Sequence, residues 1–92
     1  MREREVELYF KKRVKKEGGL SFKWSSPSHR GVPDQIAMFK NKGIYFVEIK
    51  SDTGRLSALQ EHVGKELSKH GCRWVCLYGK KDVDKFFKEL GE

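Results

Sequence analysis

The chain has 92 residues, which is enough for one domain with a modest core and leaves no room for a second. Its formal net charge is +7, from 20 lysines and arginines against 13 aspartates and glutamates. This balance favours a polyanionic partner, with nucleic acid as the first candidate, although solubility alone would also explain it. No apolar run reaches the length of a transmembrane helix, and the charged N-terminus argues against a signal peptide.

The chain is predicted to begin with a helix from residue 2 to about residue 17. Its apolar stripe, with one residue every four positions, consists of Val6, Phe10 and Val14. Glu3 falls near the centre of this stripe and Glu7 at its edge. An acidic residue at a helix start interacts favourably with the helix dipole. Alternatively, it reaches over the sheet toward other carboxylates.

A strand and a polar loop are predicted next. Residues Leu20 to Ser25 alternate apolar and polar side chains, which predicts a half-buried strand with Leu20, Phe22 and Trp24 facing the core. Residues 26–31 form a polar loop that leads directly to Asp34. Candidate DNA contacts in and near the loops are Arg30, His29, Ser26, Ser28, Arg55 and Lys23.

Two carboxylates flank a predicted hairpin. The strands are Gln35–Phe39 and Ile44–Ile49, joined by a tight turn at residues 40–43, so they run antiparallel. Asp34 therefore emerges at the same end of the hairpin as Glu48. Lys50 projects from the same face as Glu48, with Cα atoms about 7 Å apart. Two carboxylates beside a lysine are a sensible site for Mg²⁺ and for phosphodiester hydrolysis. The alternative is a simple ion pair between Glu48 and Lys50.

The remaining residues predict a helix, a strand and a second helix. The first helix begins near Leu56 or Ser57, and Gln60 lies at the margin of its apolar stripe. The strand covers Arg73–Tyr78, and the last helix has Asp82 as a candidate N-cap. Because a helix separates the third and fourth strands, those strands are expected to run parallel. The fold class is therefore α/β with a mixed central sheet.

The ordered residues resemble the VRR-NUC branch of the PD-(D/E)xK nucleases. Pro33-Asp34 is followed after thirteen residues by Glu48-Ile49-Lys50, and Gly54-Arg55-Leu56-Ser57 and Gln60 come later. The resemblance covers nearly the whole chain, so residues 1–92 are interpreted as one VRR-NUC-like domain. It implies a restriction-endonuclease-like αβββαβ core, here with an extra C-terminal helix.

The resemblance also implies roles for these residues. Asp34, Glu48 and the backbone carbonyl of Ile49 would bind Mg²⁺ or Mn²⁺, and a glutamate of the first helix, Glu3 in preference to Glu7, would join them. Lys50 would orient the attacking water or stabilise charge on the phosphate. Gln60 is either a surface residue or, as in the resembled family, a residue near the active site.

The expected function is a metal-dependent endonuclease acting on DNA. A homodimer would enlarge the small DNA footprint, and the resemblance favours resolution of four-way (Holliday) junctions by paired nicks. The alternatives are a nicking, flap or duplex nuclease and a non-catalytic DNA-binding module. Cys72 and Cys76 are too far apart along one strand for a comfortable disulfide, which fits a reducing compartment. The resemblance implies the cytoplasm of a bacterial or phage-infected cell.

Overall fold

The computed structural model describes residues 1–91, and its elements follow the predicted order. They are α1 (Glu3–Lys16), β1 (Leu20–Lys23), β2 (Gln35–Phe39), β3 (Gly43–Lys50), α2 (Ala58–Lys69), β4 (Arg73–Tyr78) and α3 (Gly79–Gly91). The prediction of an α/β domain with an αβββαβ core and a further C-terminal helix is confirmed. Within these residues, no helix combines the length and the apolar character needed to cross a membrane.

The four strands form one mixed sheet in the order β1-β2-β3-β4. The β1–β2 and β2–β3 pairs are antiparallel, whereas β3 and β4 run parallel, as expected for strands separated by a helix. In the hairpin register Gln35 pairs with Val47, so the preceding residue, Asp34, lies opposite Glu48. The register therefore brings both carboxylates to the C-terminal end of β3.

Helices α1 and α3 cover one face of the sheet and enclose the core. Phe10 of α1 packs against two rings of α3, with centroids 6.0 Å from Phe86 and 5.6 Å from Phe87. The buried apolar side chains are Val6, Phe10, Val14, Ala37, Phe39, Val47, Ile49, Leu77, Val83, Phe86 and Phe87. Because side chains alternate along a strand, burying Val47 and Ile49 on this face directs Glu48 and Lys50 to the other face.

The opposite face of the sheet is only partly covered. Leu20 and Phe22 are 61% and 56% exposed, so the prediction that β1 buries its apolar side chains is wrong. The strand also ends at Lys23 rather than Ser25. The physical reason is that β1 is an edge strand, whereas α2 packs on β4 at the other edge. The apolar residues on this face of strands β1, β2 and β3 form what we call the open sheet face. They are Leu20, Phe22, Ile36, Met38, Ile44 and Phe46.

Close packing on Trp74 explains a glycine within α2. Gly64 is the buried residue of this helix, and a Cβ atom at that position would overlap the indole ring of Trp74. Glycine in a helix costs about 1 kcal/mol relative to alanine, and here that cost allows the helix axis to approach β4. The apolar side chains Val63 and Leu67 remain only half-buried as a result of this placement.

The last helix begins earlier than predicted. It starts at Gly79, directly after β4, so Asp82 lies in its first turn rather than at the N-cap. The Asp82 carboxylate nevertheless accepts a hydrogen bond from the backbone N–H of Tyr78 at 2.8 Å. Gly79 allows the abrupt change from strand to helix because it adopts a positive φ of 72°.

Candidate active site

Asp34 is held at the start of β2 by backbone contacts on both sides. Its backbone carbonyl accepts a hydrogen bond from the N–H of Trp24 at 2.9 Å. Its carboxylate oxygen Oδ2 accepts a hydrogen bond from the backbone N–H of Ile49 at 3.0 Å. The second contact ties the Asp34 side chain directly to the strand that carries Glu48 and Lys50.

Glu48 is a buried carboxyl group, with only 1% of the residue exposed. Burial raises its pKa from 4.5 to about 8, and the hydrogen bond to Asp34 and the charge of that carboxylate act in the same direction. The charge of Lys50 partly opposes this shift. A cation bound beside Asp34 and Glu48 would favour the charged form of Glu48, so the site is electrostatically suited to bind one.

Lys50 lies between two acidic residues at the end of β3. Its Nζ atom is 3.9 Å from a carboxylate oxygen of Glu48 and also 3.9 Å from one of Glu3. The side chain is only 13% exposed, which restricts the ammonium group to this acidic pocket. Lys50 thus lies beside the carboxylates, as its position in the sequence predicted, and it contacts more than one of them.

Gln60 also belongs to the site, because its side-chain Nε2 donates to Glu48 Oε2 at 3.2 Å. The other end of its amide accepts from the backbone N–H of Ser57 at 2.9 Å, while Ser57 Oγ accepts from the Gln60 N–H at 3.1 Å. These reciprocal contacts form the capping box of α2. They fix which end of the amide faces Glu48. The sequence prediction began this helix near Leu56 or Ser57 but assigned Ser57 no capping role, although the Ser-x-x-Gln spacing is the recognisable signal of this motif.

The two candidate glutamates of α1 form ion pairs with different lysines. Glu3, the first residue of α1, pairs with Lys50, whereas the Glu7 carboxylate is 3.8 Å from Lys11 Nζ on the same helix. Only Glu3 of these two therefore has an ion pair with the cluster among the described residues. A role for Glu3 in binding a metal stays a prediction.

The predicted DNA contacts surround the site without joining the carboxylates. Ser28, His29 and Arg30 are exposed on the loop before Asp34, and Ser26 in the same loop is half-buried. Arg55 is exposed on the connection from β3 to α2, and Lys23 is exposed at the end of β1. These six residues stay predictions as DNA contacts.

The donor groups fit a hard divalent cation. Asp34 and Glu48 supply carboxylate oxygens, and Mg²⁺ usually takes one or two carboxylates together with water and substrate phosphate. Within residues 1–91, no group of three or more His, Cys, Asp or Glu residues forms a site for a metal ion. Two carboxylates leave most positions around such a cation to water and substrate oxygens.

The fold and this cluster together define a restriction-endonuclease-like α/β domain with its acidic residues at one end of a mixed sheet. No family model matches the chain. A solved structure described as a "VRR_NUC domain" has a TM-score of 0.85 with this chain at 27% identity, and the alignment covers 94% of each. The chain therefore has the fold of that VRR_NUC domain, and the resemblance seen in the sequence is confirmed.

A curated phage protein provides a second match. It is named "Putative nuclease p44", from Acyrthosiphon pisum secondary endosymbiont phage 1, and is 41% identical over 51 residues. The alignment spans 55% of this chain and 55% of that relative, so it covers about half the length of each.

Proposed function

We propose that the protein is a divalent-metal-dependent endonuclease that hydrolyses DNA phosphodiester bonds. The observation that carries this proposal is the convergence of Asp34, buried Glu48 and Lys50, with Gln60 hydrogen-bonded to Glu48. The VRR-NUC fold and the nuclease name of the phage relative support the same class of activity. The excess of basic residues supports an anionic polymer as the substrate.

Each residue of the cluster has a distinct role in this proposal. Asp34 and Glu48 hold Mg²⁺ or Mn²⁺ together with the backbone carbonyl of Ile49, and Glu3 adds a further carboxylate. When bound, such an ion activates water and neutralises phosphate charge. Lys50 orients the attacking water or stabilises the charge that develops on the phosphate oxygens. Gln60 holds the Glu48 carboxylate in place and positions water or phosphate beside it.

The test is cleavage of labelled four-way junction, flap and plain duplex DNA with Mg²⁺, with Mn²⁺ and with EDTA. We expect metal-dependent cutting, and a loss on the order of 10²–10³-fold in Lys50→Ala, because this substitution removes a charge that stabilises the transition state. Lys88→Ala, which removes an exposed lysine from α3, is the matched control for net charge. DNA binding without cleavage under every metal would leave a non-catalytic DNA-binding module instead.

We further propose that the active form is a homodimer that resolves branched DNA, four-way junctions in particular, by paired nicks. The open sheet face supports a second copy as the partner, because its six residues are all apolar in a chain of net charge +7. A polyanion would gain nothing from this face, whereas an identical apolar face would be buried against it. Nicking of duplex or flapped DNA is the alternative to junction resolution.

Charges placed on the open sheet face are expected to separate the protomers. In the double variant Leu20→Glu, Ile44→Glu, both positions are at least half exposed, so we expect a folded monomer. Sedimentation velocity would show the shift from dimer mass, and junction cleavage would change from paired to single nicks. Leu8→Glu is the control, since Leu8 is 55% exposed on α1, outside this face. Wild-type protein that stays monomeric at high concentration would contradict the dimer and leave the nuclease proposal standing.

A further inference from the structure

A groove lies between α2 and the segment from Trp24 to Val32. It has a volume of about 390 Å³, which is within the range of small-molecule sites. Apolar side chains from both walls line it, namely Trp24, Val32, Val63 and Leu67. We call it the α2 groove. Val63 and Leu67, which form its wall on the helix, are half-buried.

The α2 groove is directly connected to the carboxylate cluster on both sides. On one wall, the loop that contributes Ser26 and Ser28 continues into Asp34. On the other wall, Val63 lies about 5 Å further along the helix axis than Gln60, which contacts Glu48. A DNA strand with one phosphate at the carboxylates can therefore place a neighbouring nucleotide in the groove.

The lining of the α2 groove selects an uncharged, flat group. No lysine or arginine is among its lining residues, so a phosphate has no countercharge there. The indole of Trp24 forms one wall and is held by the ring of Phe46, with centroids 5.5 Å apart. Aromatic side chains of this kind stack on nucleobases.

The rim of the groove carries hydrogen-bonding groups. All three histidines of the chain line it, together with Glu66 and the loop serines. His70 Nδ1 is 2.7 Å from the backbone carbonyl of Glu66, and a carbonyl only accepts, so Nδ1 carries the proton. The rim thus offers polar ring nitrogens and hydroxyl groups to the edge of a bound group.

We propose that the α2 groove binds an unpaired nucleobase of the DNA substrate, stacked on Trp24, next to the phosphate at the carboxylates. This inference rests on the proposed DNA nuclease function and defines its substrate class: DNA with an unstacked or unpaired base at the cleavage site. Base pairs within a regular duplex cannot enter, because their bases are stacked on both sides. The exposed Arg30, which follows His29 of the lining, is placed to contact the flanking phosphate.

The test measures binding in EDTA, where no cleavage occurs, by fluorescence anisotropy of a short duplex and of the same duplex with one unpaired thymidine. Wild-type protein is expected to prefer the unpaired base, and Trp24→Ala is expected to reduce that preference by about 5- to 150-fold. Trp24→Phe keeps an aromatic surface and is expected to retain most of the preference for the unpaired base. Duplex affinity should change little in either variant.

A second variant keeps the experiment informative if Trp24→Ala does not fold. Leu67→Phe fills the α2 groove from the helix side while leaving Trp24 in place, and it is also expected to remove the preference. Leu8→Phe, an equal enlargement of an exposed leucine on α1, is the control. Equal affinity of wild type for both DNAs, or a preference that survives in Leu67→Phe, would overturn the proposal. Either result leaves the metal-dependent cleavage assay unaffected, so the two proposals fail separately.

Discussion

Replacing Glu48 by glutamine is expected to abolish metal-dependent DNA cleavage, with a loss of about 10³-fold or more. Glutamine is nearly isosteric, and its carbonyl oxygen can still accept the hydrogen bond from Gln60. Because burial keeps the metal-free Glu48 carboxyl largely neutral at pH 7, the substitution removes little charge from the folded protein. The variant should therefore fold normally while losing an anionic metal ligand.

Two measurements separate this effect from a general loss of structure. Calorimetric titration with Mn²⁺ should show weakened binding in Glu48→Gln, and circular dichroism should match that of wild type. Glu89→Gln, the same change at an exposed glutamate of α3, should keep full cleavage. Retention of cleavage and Mn²⁺ affinity by Glu48→Gln would remove Glu48 from the metal site.

The metal-free protein is expected to lose stability as the pH rises from about 5 to 8. The pKa of Glu48 is about 8 in the folded state and 4.5 without burial, so between these values the folded chain binds the extra proton. Stability falls with pH wherever the folded state binds more protons. Between these two pKa values Glu48 contributes a slope that approaches about 1.4 kcal/mol per pH unit. The stabilisation from the proton on Glu48 is therefore fully present below pH 4.5 and is lost above pH 8.

Urea unfolding of wild type and Glu48→Gln in EDTA isolates this contribution. The difference between their free energies of unfolding should change steadily across the window, because glutamine does not titrate. The charged groups around Glu48 are Asp34, Lys50 and Glu3, while Cys76 has a pKa raised above 9.0 and stays neutral there. A difference that is constant from pH 5 to 8 would contradict the proposed protonation of Glu48.

Most of the fold follows from local sequence patterns. The bounds of β2 and β4 were predicted to the residue, because both are short β-branched or aromatic runs between turns. The exposure of Leu20 and Phe22 was not predicted. Alternation shows that one side of a strand is apolar, but it does not show whether another element covers that side. The role of Gly64 depends on Trp74, ten residues later, and no local pattern links the two.

The centre of the candidate site was predictable for a different reason. Hairpin register alone places Asp34 opposite Glu48, and alternation places Lys50 on the face of Glu48. The contact between Glu3 and Lys50 depends on how α1 lies across the sheet, which helix periodicity leaves open. The α2 groove could not be predicted, because its walls come from two segments far apart in the chain that meet only in the folded protein.

The capping box of α2 has a consequence for how the protein loses activity on warming. One amide group, that of Gln60, both closes the first turn of the helix and restrains Glu48. Helix ends open more easily than the rest of a fold. Each transient opening of this turn therefore also releases the Glu48 carboxylate. If Glu48 acts as proposed, activity should be lost on heating as a local event, below the temperature at which the core melts.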